Sequence, residues 1–258
     1  MKRQIIILFL AMGIIGNPLF GQRTLELGGF VGISNYLGDL QQTTFEENEN
    51  NIALGFFTRL NWNKNVSFKF NFYKGEISGD DRNYSELQKF RDRNLSFRSH
   101  IFEFGLTTEL TFVSFGETDH RVAAPYIFLG ISGFYFNPQA VYEGRWVDLR
   151  PLGTEGQNLP NSNLDKYKLF QVAIPFGIGF NININKSVNI GFEVGLRKTF
   201  TDYLDDISSR YPDLATLQAH NPMSASLSYR TPEVTGYNLP NPQGELRGSP
   251  KEKDLYFF

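Results

Sequence analysis

The stretch that decides the fold is residues 170–182, which read FQVAIPFGIGFNI. Every second residue, from Phe170 to Ile182, is large and apolar, and most of the residues between are small or polar. Successive side chains of a β-strand point to opposite faces of a sheet. The stretch therefore predicts a strand with one apolar face and one polar face.

The same alternation recurs along the chain. It predicts seven strands, at Thr24–Ile33, Ile52–Leu60, Val66–Ile77, Phe97–Phe112, Pro125–Phe136, Tyr167–Ile182 and Val188–Phe200. Each is long enough for the ~9–11 tilted residues that a membrane strand needs. An eighth strand begins at Leu255–Phe258, and bacterial single-chain barrels have an even number of strands. We expect an all-β fold, an eight-stranded antiparallel transmembrane β-barrel whose last strand is truncated in this chain.

The connections between the predicted strands alternate in length. Two of them, 61–65 and 183–187, are short, and 113–124 is intermediate. The others are long, at 34–51, 78–96, 137–166 and 201–254. Short turns on one side and long loops on the other are typical of outer-membrane barrels, whose long loops lie outside the cell.

Charge placement decides which face of the barrel is inside. The polar faces carry Glu26, Arg59, Lys69, Glu103, Glu109, Glu193 and Arg197. Each charge facing lipid near the bilayer midplane would cost about 2–4 kcal/mol, so we expect a polar lumen and an apolar exterior. In a narrow lumen the opposite charges can pair, and eight strands leave no channel, which disfavours a porin. A soluble ligand-binding barrel, with the apolar face inside, is the alternative.

The N-terminus and the composition restrict the location of the protein and the kinds of site and partner that it can have. Lys2 and Arg3 precede the apolar run Ile5–Ile15, so we expect residues 1–21 to be a signal peptide and residues 22–258 to be the barrel with its long outer loops. The chain has no cysteine, which excludes disulfides and thiolate metal sites. A formal net charge of −2 gives no basic field for a nucleic acid. The expected location is the cell outer membrane.

Two groups of residues are candidate chemical sites. His100 lies near Ser96 and Ser99 in the sequence, and Asp80 and Asp81 are in the loop of the same hairpin. A Ser-His-Asp set there would support a lipid-modifying enzyme, but no glycine pattern of a nucleophile elbow accompanies it. We therefore expect no enzyme, no catalytic residue and no cofactor.

The second group is the acidic cluster Asp202, Asp205 and Asp206. Several carboxylate oxygens could bind a divalent cation, but the glycine spacing of a dedicated calcium loop is missing. A solvated or arginine-paired loop is the favoured interpretation, so no metal site is expected. The turn-rich segment Gly153–Gly156 lacks the following lysine of a phosphate-binding loop.

Several segments, taken in order, resemble the PorG-like family of outer-membrane β-barrels. They are 34–40, 77–81, 94–99, 136–140 and 151–157, followed by the most specific run, Arg197, Lys198, Thr199, Phe200, Thr201, Asp202, Tyr203, Leu204, Asp205 and Asp206. The resemblance implies a non-enzymatic component of the type IX protein secretion and gliding motility machinery. It would anchor or position a periplasmic ring made of a lipoprotein and its partner protein, within outer-membrane lipids. Family members continue past Phe258 into a complete last strand, which is where this chain departs from them.

Geometry suggests where such a ring would touch the barrel. The inner turns 61–65, 116–121 and 183–187 would face the periplasm, which makes Trp62, Asp119, Arg121 and Lys186 the candidate partner contacts. The alternative function is an envelope adhesion or stabilising barrel that acts through its outer loops. A lipid-modifying outer-membrane enzyme is a further alternative.

Overall fold

The computed structural model describes residues 23–41, 47–83, 88–112, 123–160, 162–185, 187–236, 242–249 and 253–258. Eight antiparallel strands form a closed barrel: β1 (Thr24–Leu37), β2 (Asn51–Asn61), β3 (Val66–Asp80), β4 (Ser96–Thr111), β5 (Ala123–Tyr135), β8 (Phe170–Asn185), β9 (Val188–Thr199) and β10 (Leu255–Phe257). The predicted eight-stranded antiparallel β-barrel is confirmed. The predicted signal peptide lies outside the described residues.

A hairpin in the third long connection adds β6 (Pro138–Tyr142) and β7 (Arg145–Asp148). The sequence predicted only a loop over 137–166. The hairpin turns at Glu143 and Gly144, both with positive φ, and it joins the barrel where Gln139 lies opposite Arg98 of β4. Proline lacks an N–H, so Pro138 is tolerated at the first position of β6.

Five short helices lie in the long connections. They are α1 (Gln88–Arg93), α2 (Leu149–Leu152), α3 (Leu214–His220), α4 (Pro222–Ser228) and α5 (Thr231–Thr235). Two 3₁₀ turns, Glu47–Glu49 and Asp81–Asn83, complete the helical structure of the described residues. No helix in the described ranges is long and apolar enough to cross a membrane.

The short strand β10 closes the barrel at its long-loop end. Tyr256 pairs with Arg197 of β9 on one side and with Tyr36 of β1 on the other. Below β10, no described strand lies between residues 24–34 of β1 and residues 188–194 of β9. Only a side-chain hydrogen bond, from Asn189 to Glu26 at 3.4 Å, spans this part of the wall among the described contacts. We call the two facing edges the seam.

The outward face of the barrel changes polarity along each strand. On β3 the outward positions Val66, Phe68, Phe70 and Phe72 are apolar, whereas Lys74, Glu76, Ser78 and Asp80 above them are polar. The inward face changes in the opposite sense, from Ser67, Lys69 and Asn71 to Tyr73, Ile77 and the glycines beside them. Strand β4 shows the same change of polarity at the same height, because Phe72 lies opposite Phe104 and Glu76 lies opposite His100.

The apolar part of the exterior forms a continuous belt. On β4 it runs from Phe102 to Phe112, which for a strand tilted by ~40° gives a height of about 25 Å. Its exposed side chains include Leu27, Val31, Phe56, Phe70, Leu106, Leu129, Ile178, Phe192 and Val194. In water, so large an exposed apolar surface would be highly unfavourable.

The hydrophobic core begins at the height of the uppermost belt residues and continues above them, inside the long-loop end of the barrel. It joins inward strand residues such as Tyr36, Phe97 and Phe134 to the loop residues Leu40 and Leu204. The predicted strands β1 and β3 stopped too early, at Ile33 and Ile77, because their upper ends pack into this core instead of keeping an apolar outer face. The long loops therefore fold into the barrel mouth.

Candidate functional site

The lumen below the core is filled by paired charges. The Arg59 guanidinium donates to Glu26 at 3.1 Å and to Glu109 at 3.2 Å. The Lys69 ammonium lies 3.3 Å from Glu109 and also pairs with Glu193. The predicted pairing of lumen charges is confirmed, and it links β1, β2, β3, β4 and β9 across the barrel.

A second lumen pair lies higher, beneath the aromatic core. Arg197 of β9 pairs with Glu103 of β4 at 3.2 Å, and both side chains are almost fully buried. Glu103 also accepts a hydrogen bond from the hydroxyl of Tyr256 at 2.7 Å. A buried carboxylate needs such partners, because an unpaired charge in a dry interior is very costly.

The loops above the lumen form a folded cap, held by the acidic residues that follow β9. Asp205 accepts a hydrogen bond from the Tyr36 hydroxyl at 2.5 Å and one from the Ile207 N–H at 2.9 Å. Asp206 accepts from the Tyr167 hydroxyl at 2.7 Å and from the Thr154 hydroxyl. These carboxylates tie the last long loop to β1 and to the third long connection.

Glu155 is the other anchor of the cap. Its carboxylate accepts from the N–H groups of Ser208 at 2.9 Å and Ser209 at 3.0 Å, and from Arg247 at 3.2 Å. Arg247 donates in addition to the carbonyl of Asp206 at 2.6 Å. The sequence indicates the turn at Gly153–Gly156 but not the buried ion pair between Glu155 and Arg247, which are 92 residues apart.

Burial raises the pKa of the cap carboxylates. Desolvation raises the pKa of Asp206 to about 6, against the lowering effect of Arg247 and of its hydroxyl donors. Desolvation likewise raises the pKa of Asp202 to about 6, and it raises the pKa values of Asp205 and Asp254 well above their ordinary range. Because these pKa values are raised in the folded protein, protonation of the carboxylates stabilises the folded cap.

The predicted solvated or arginine-paired loop is therefore wrong for Asp202, Asp205 and Asp206. Their carboxylates are buried and accept hydrogen bonds from hydroxyl groups instead. Asp202, Asp205 and Asp206 are buried and point to different donors, so their oxygens do not converge on one point. Within the described residues no group of His, Cys, Asp and Glu side chains could hold a metal ion.

The residues of the enzyme alternative do not form a complete set: Ser96 lies opposite Asp80, but His100 is four residues further along β4. His100 faces outward and lies 3.0 Å from Glu76. Ser99 faces inward and accepts from the Asn137 N–H at 3.0 Å, while Asp81 pairs with Arg93 at 2.6 Å. Of the other two histidines, His220 ends α3 at the surface and His120 lies outside the described residues.

One of the four candidate ring contacts is described. Trp62 is 45% exposed in the short turn after β2, and the Arg23 guanidinium stacks on its ring at 3.7 Å. Asp119, Arg121 and Lys186 lie outside the described residues.

Fold and site together define a class of protein: a small β-barrel with an apolar exterior, a charge-filled lumen and a folded cap over one mouth. The chain belongs to the family described as Domain of unknown function (DUF6089), whose model matches residues 2–227. No significant match was found among curated proteins or among solved structures.

Proposed function

We propose that this protein is an outer-membrane β-barrel component of the type IX protein secretion and gliding machinery, where it anchors or positions the periplasmic ring without catalysing a reaction. The membrane part of the proposal rests on one observation, the change of polarity on both faces of β3 and β4 at the same height. The ring part rests on the resemblance of the chain to PorG-like barrels.

The apolar belt supports a membrane location. Its height of about 25 Å equals that of the outward apolar band of outer-membrane barrels. Above it, polar side chains such as Lys74 and Glu76 replace phenylalanines in the outward positions of the same strand. A bilayer covers such a belt and leaves the polar upper barrel in water.

The filled interior favours a role carried by surfaces. Arg59, Lys69 and Arg197 occupy the lumen with their acidic partners, and the cap packs into the upper mouth. A barrel of this kind is suited to anchoring other proteins rather than to conducting solutes. The short-turn end, with its exposed Trp62, is the surface that a periplasmic partner would reach.

Crosslinking and purification of the protein from native outer membranes, with identification of the partners by mass spectrometry, tests the proposal. We expect recovery of the ring lipoprotein and its partner protein. Trp62→Ala should lower that recovery several-fold, because an exposed, arginine-stacked indole is a typical interface anchor.

Trp146→Ala is the matched control. Trp146 is also 45% exposed and also carries a stacked arginine, Arg98 at 3.8 Å, but it lies on the β6–β7 hairpin at the opposite end of the barrel. Equal recovery from both variants would overturn the assignment of the short turns to the ring. Absence of the ring proteins from wild-type preparations would overturn the anchoring role and favour an adhesion or stabilising barrel that acts through its outer loops.

A further inference from the structure

We propose that the outer surface of β9 and β10 holds a binding site for the phosphate of an anionic lipid headgroup, formed by Lys198 and Lys253 beside Phe200 and Leu255. The inference rests on the proposed membrane location and adds a specific lipid contact to it. We call these four residues the lysine patch.

Strand register brings the two lysines together. Lys198 lies directly opposite Leu255, and Lys253 precedes Leu255 by two residues. The Asp254 N–H donates to the Thr201 carbonyl at 3.2 Å, which keeps this segment beside β9. Diagonal neighbours across two strands are about 7–8 Å apart, so two lysine side chains can reach one phosphate group.

The described acids near the two ammonium groups form no salt bridge with them, although the charge of Lys253 lowers the pKa of Asp202. Both lysines are exposed, and neither forms a salt bridge with a described residue. Two described acids near them in the chain, Asp202 and Asp254, are buried and accept from the Ser208 hydroxyl at 2.7 Å and the Leu204 N–H at 2.9 Å, and Glu252 lies outside the described residues. Elsewhere at the surface, by contrast, Arg82 pairs with Asp80 and Arg230 pairs with Glu233.

The height of the patch fits a lipid rather than a soluble anion. Below Lys198, the outward residues of β9 are Val188, Ile190, Phe192, Val194 and Leu196, which belong to the apolar belt. Phe200, 58% exposed, lies beside the lysines. A headgroup phosphate at the lysines would place its acyl chains along the belt, and a cation at this boundary attracts anionic lipids.

Lys74 provides a matched control. It is exposed and is likewise the first outward polar residue above the belt on its strand, and it forms no salt bridge with a described residue. It stands alone, however, between Leu54 and Phe102, with its ammonium 5.6 Å from the Phe102 ring centre. Lys74→Gln removes the same charge without touching the patch.

The test measures lipid binding by native mass spectrometry of the detergent-solubilised protein, with phosphatidylglycerol, phosphatidylcholine and inorganic phosphate as probes. We expect phosphatidylglycerol to bind more tightly than phosphatidylcholine. The double variant Lys198→Gln/Lys253→Gln should bind it about 25-fold more weakly, because each cation near a lipid surface contributes about a factor of five. Lys74→Gln removes a single cation and should weaken binding by no more than about fivefold.

Each other outcome overturns the inference. Equal losses in Lys74→Gln and in the double variant would mean a diffuse charge effect, and displacement of the lipid by millimolar inorganic phosphate would mean a simple anion site. Heat-modifiable gel migration of every variant checks that the barrel is folded. Equal binding of phosphatidylglycerol and phosphatidylcholine by the wild-type protein, with normal ring recovery, contradicts the lysine patch alone, whereas absence of the protein from the outer-membrane fraction contradicts the proposed function.

Discussion

At the scale of single residues, the buried pair Arg197–Glu103 is the most sensitive point of the barrel. Arg197→Met leaves the fully buried Glu103 carboxylate without its cation. Loss of one partner of a buried pair costs about 3–5 kcal/mol, whereas replacing both partners with apolar residues costs much less. We therefore expect Arg197→Met to destabilise the barrel strongly and Arg197→Met/Glu103→Leu to recover part of the loss.

Urea unfolding in detergent micelles measures this difference, and Lys64→Met in an exposed turn is the control, expected to lie within about 0.5 kcal/mol of wild type. A double variant less stable than Arg197→Met would show that the pair does not act as a charge-compensated unit.

Asp206 gives the cap a dependence on pH. Its pKa is raised from 3.8 to about 6 in the fold, so the folded state binds the proton more tightly than the unfolded state does. The stability from this group is complete below the ordinary pKa and is lost as the pH rises through 6, a change of about 2–3 kcal/mol. Proteolytic cleavage within residues 201–236 should therefore be slower at pH 5 than at pH 8.

Asp206→Asn keeps an acceptor for Tyr167 and removes the titrating charge. We expect it to slow cleavage at pH 8 and to flatten the pH profile, while Asp165→Asn in an exposed loop leaves the profile unchanged. An unaltered profile in Asp206→Asn would assign the pH dependence to the other buried carboxylates.

At the scale of secondary structure elements, the seam is the part of the wall where β1 and β9 have described strand partners on one side only. Residues 24–34 of β1 and 188–194 of β9 have a described strand partner on one side only, whereas β3 is paired on both sides along residues 67–74. Backbone N–H groups without a strand partner exchange faster with solvent. Hydrogen exchange of this chain in detergent should show faster exchange in peptides from the seam than in peptides covering Phe68–Phe72. Equal protection would mean that the seam edges are hydrogen-bonded.

The strands were predictable because their signal is local. Alternation along residues such as Phe170 to Ile182 identified each strand and, with the charge argument, which face is outside. The β6–β7 hairpin was not predicted because its strands are short and have no long alternating pattern. The cap was not predicted for a different reason. Glu155 contacts Arg247 only when two loops that are far apart in the sequence pack over the barrel mouth, and no local sequence pattern indicates that contact.

At the scale of the whole molecule, two zones with inverted polarity share one barrel. The lower zone is apolar outside and charged inside, around Arg59 and Lys69, and the upper zone is polar outside with an aromatic core around Tyr36 and Phe134. The lower zone suits a bilayer and the upper zone suits water. Proposed lipid and ring contacts then fall at opposite ends, at Lys198 and at Trp62.

This division predicts the orientation of the barrel in a cell. The chain has no cysteine, so single cysteines introduced at Arg145 and at Lys64, both exposed and at opposite ends, report each end separately. Outer-membrane barrels hold their long loops outside and their short turns in the periplasm. A membrane-impermeant maleimide should label Arg145→Cys on intact cells and label Lys64→Cys only after the outer membrane is permeabilised. The opposite pattern would invert the barrel and would exclude the short turns as the site where a periplasmic ring binds.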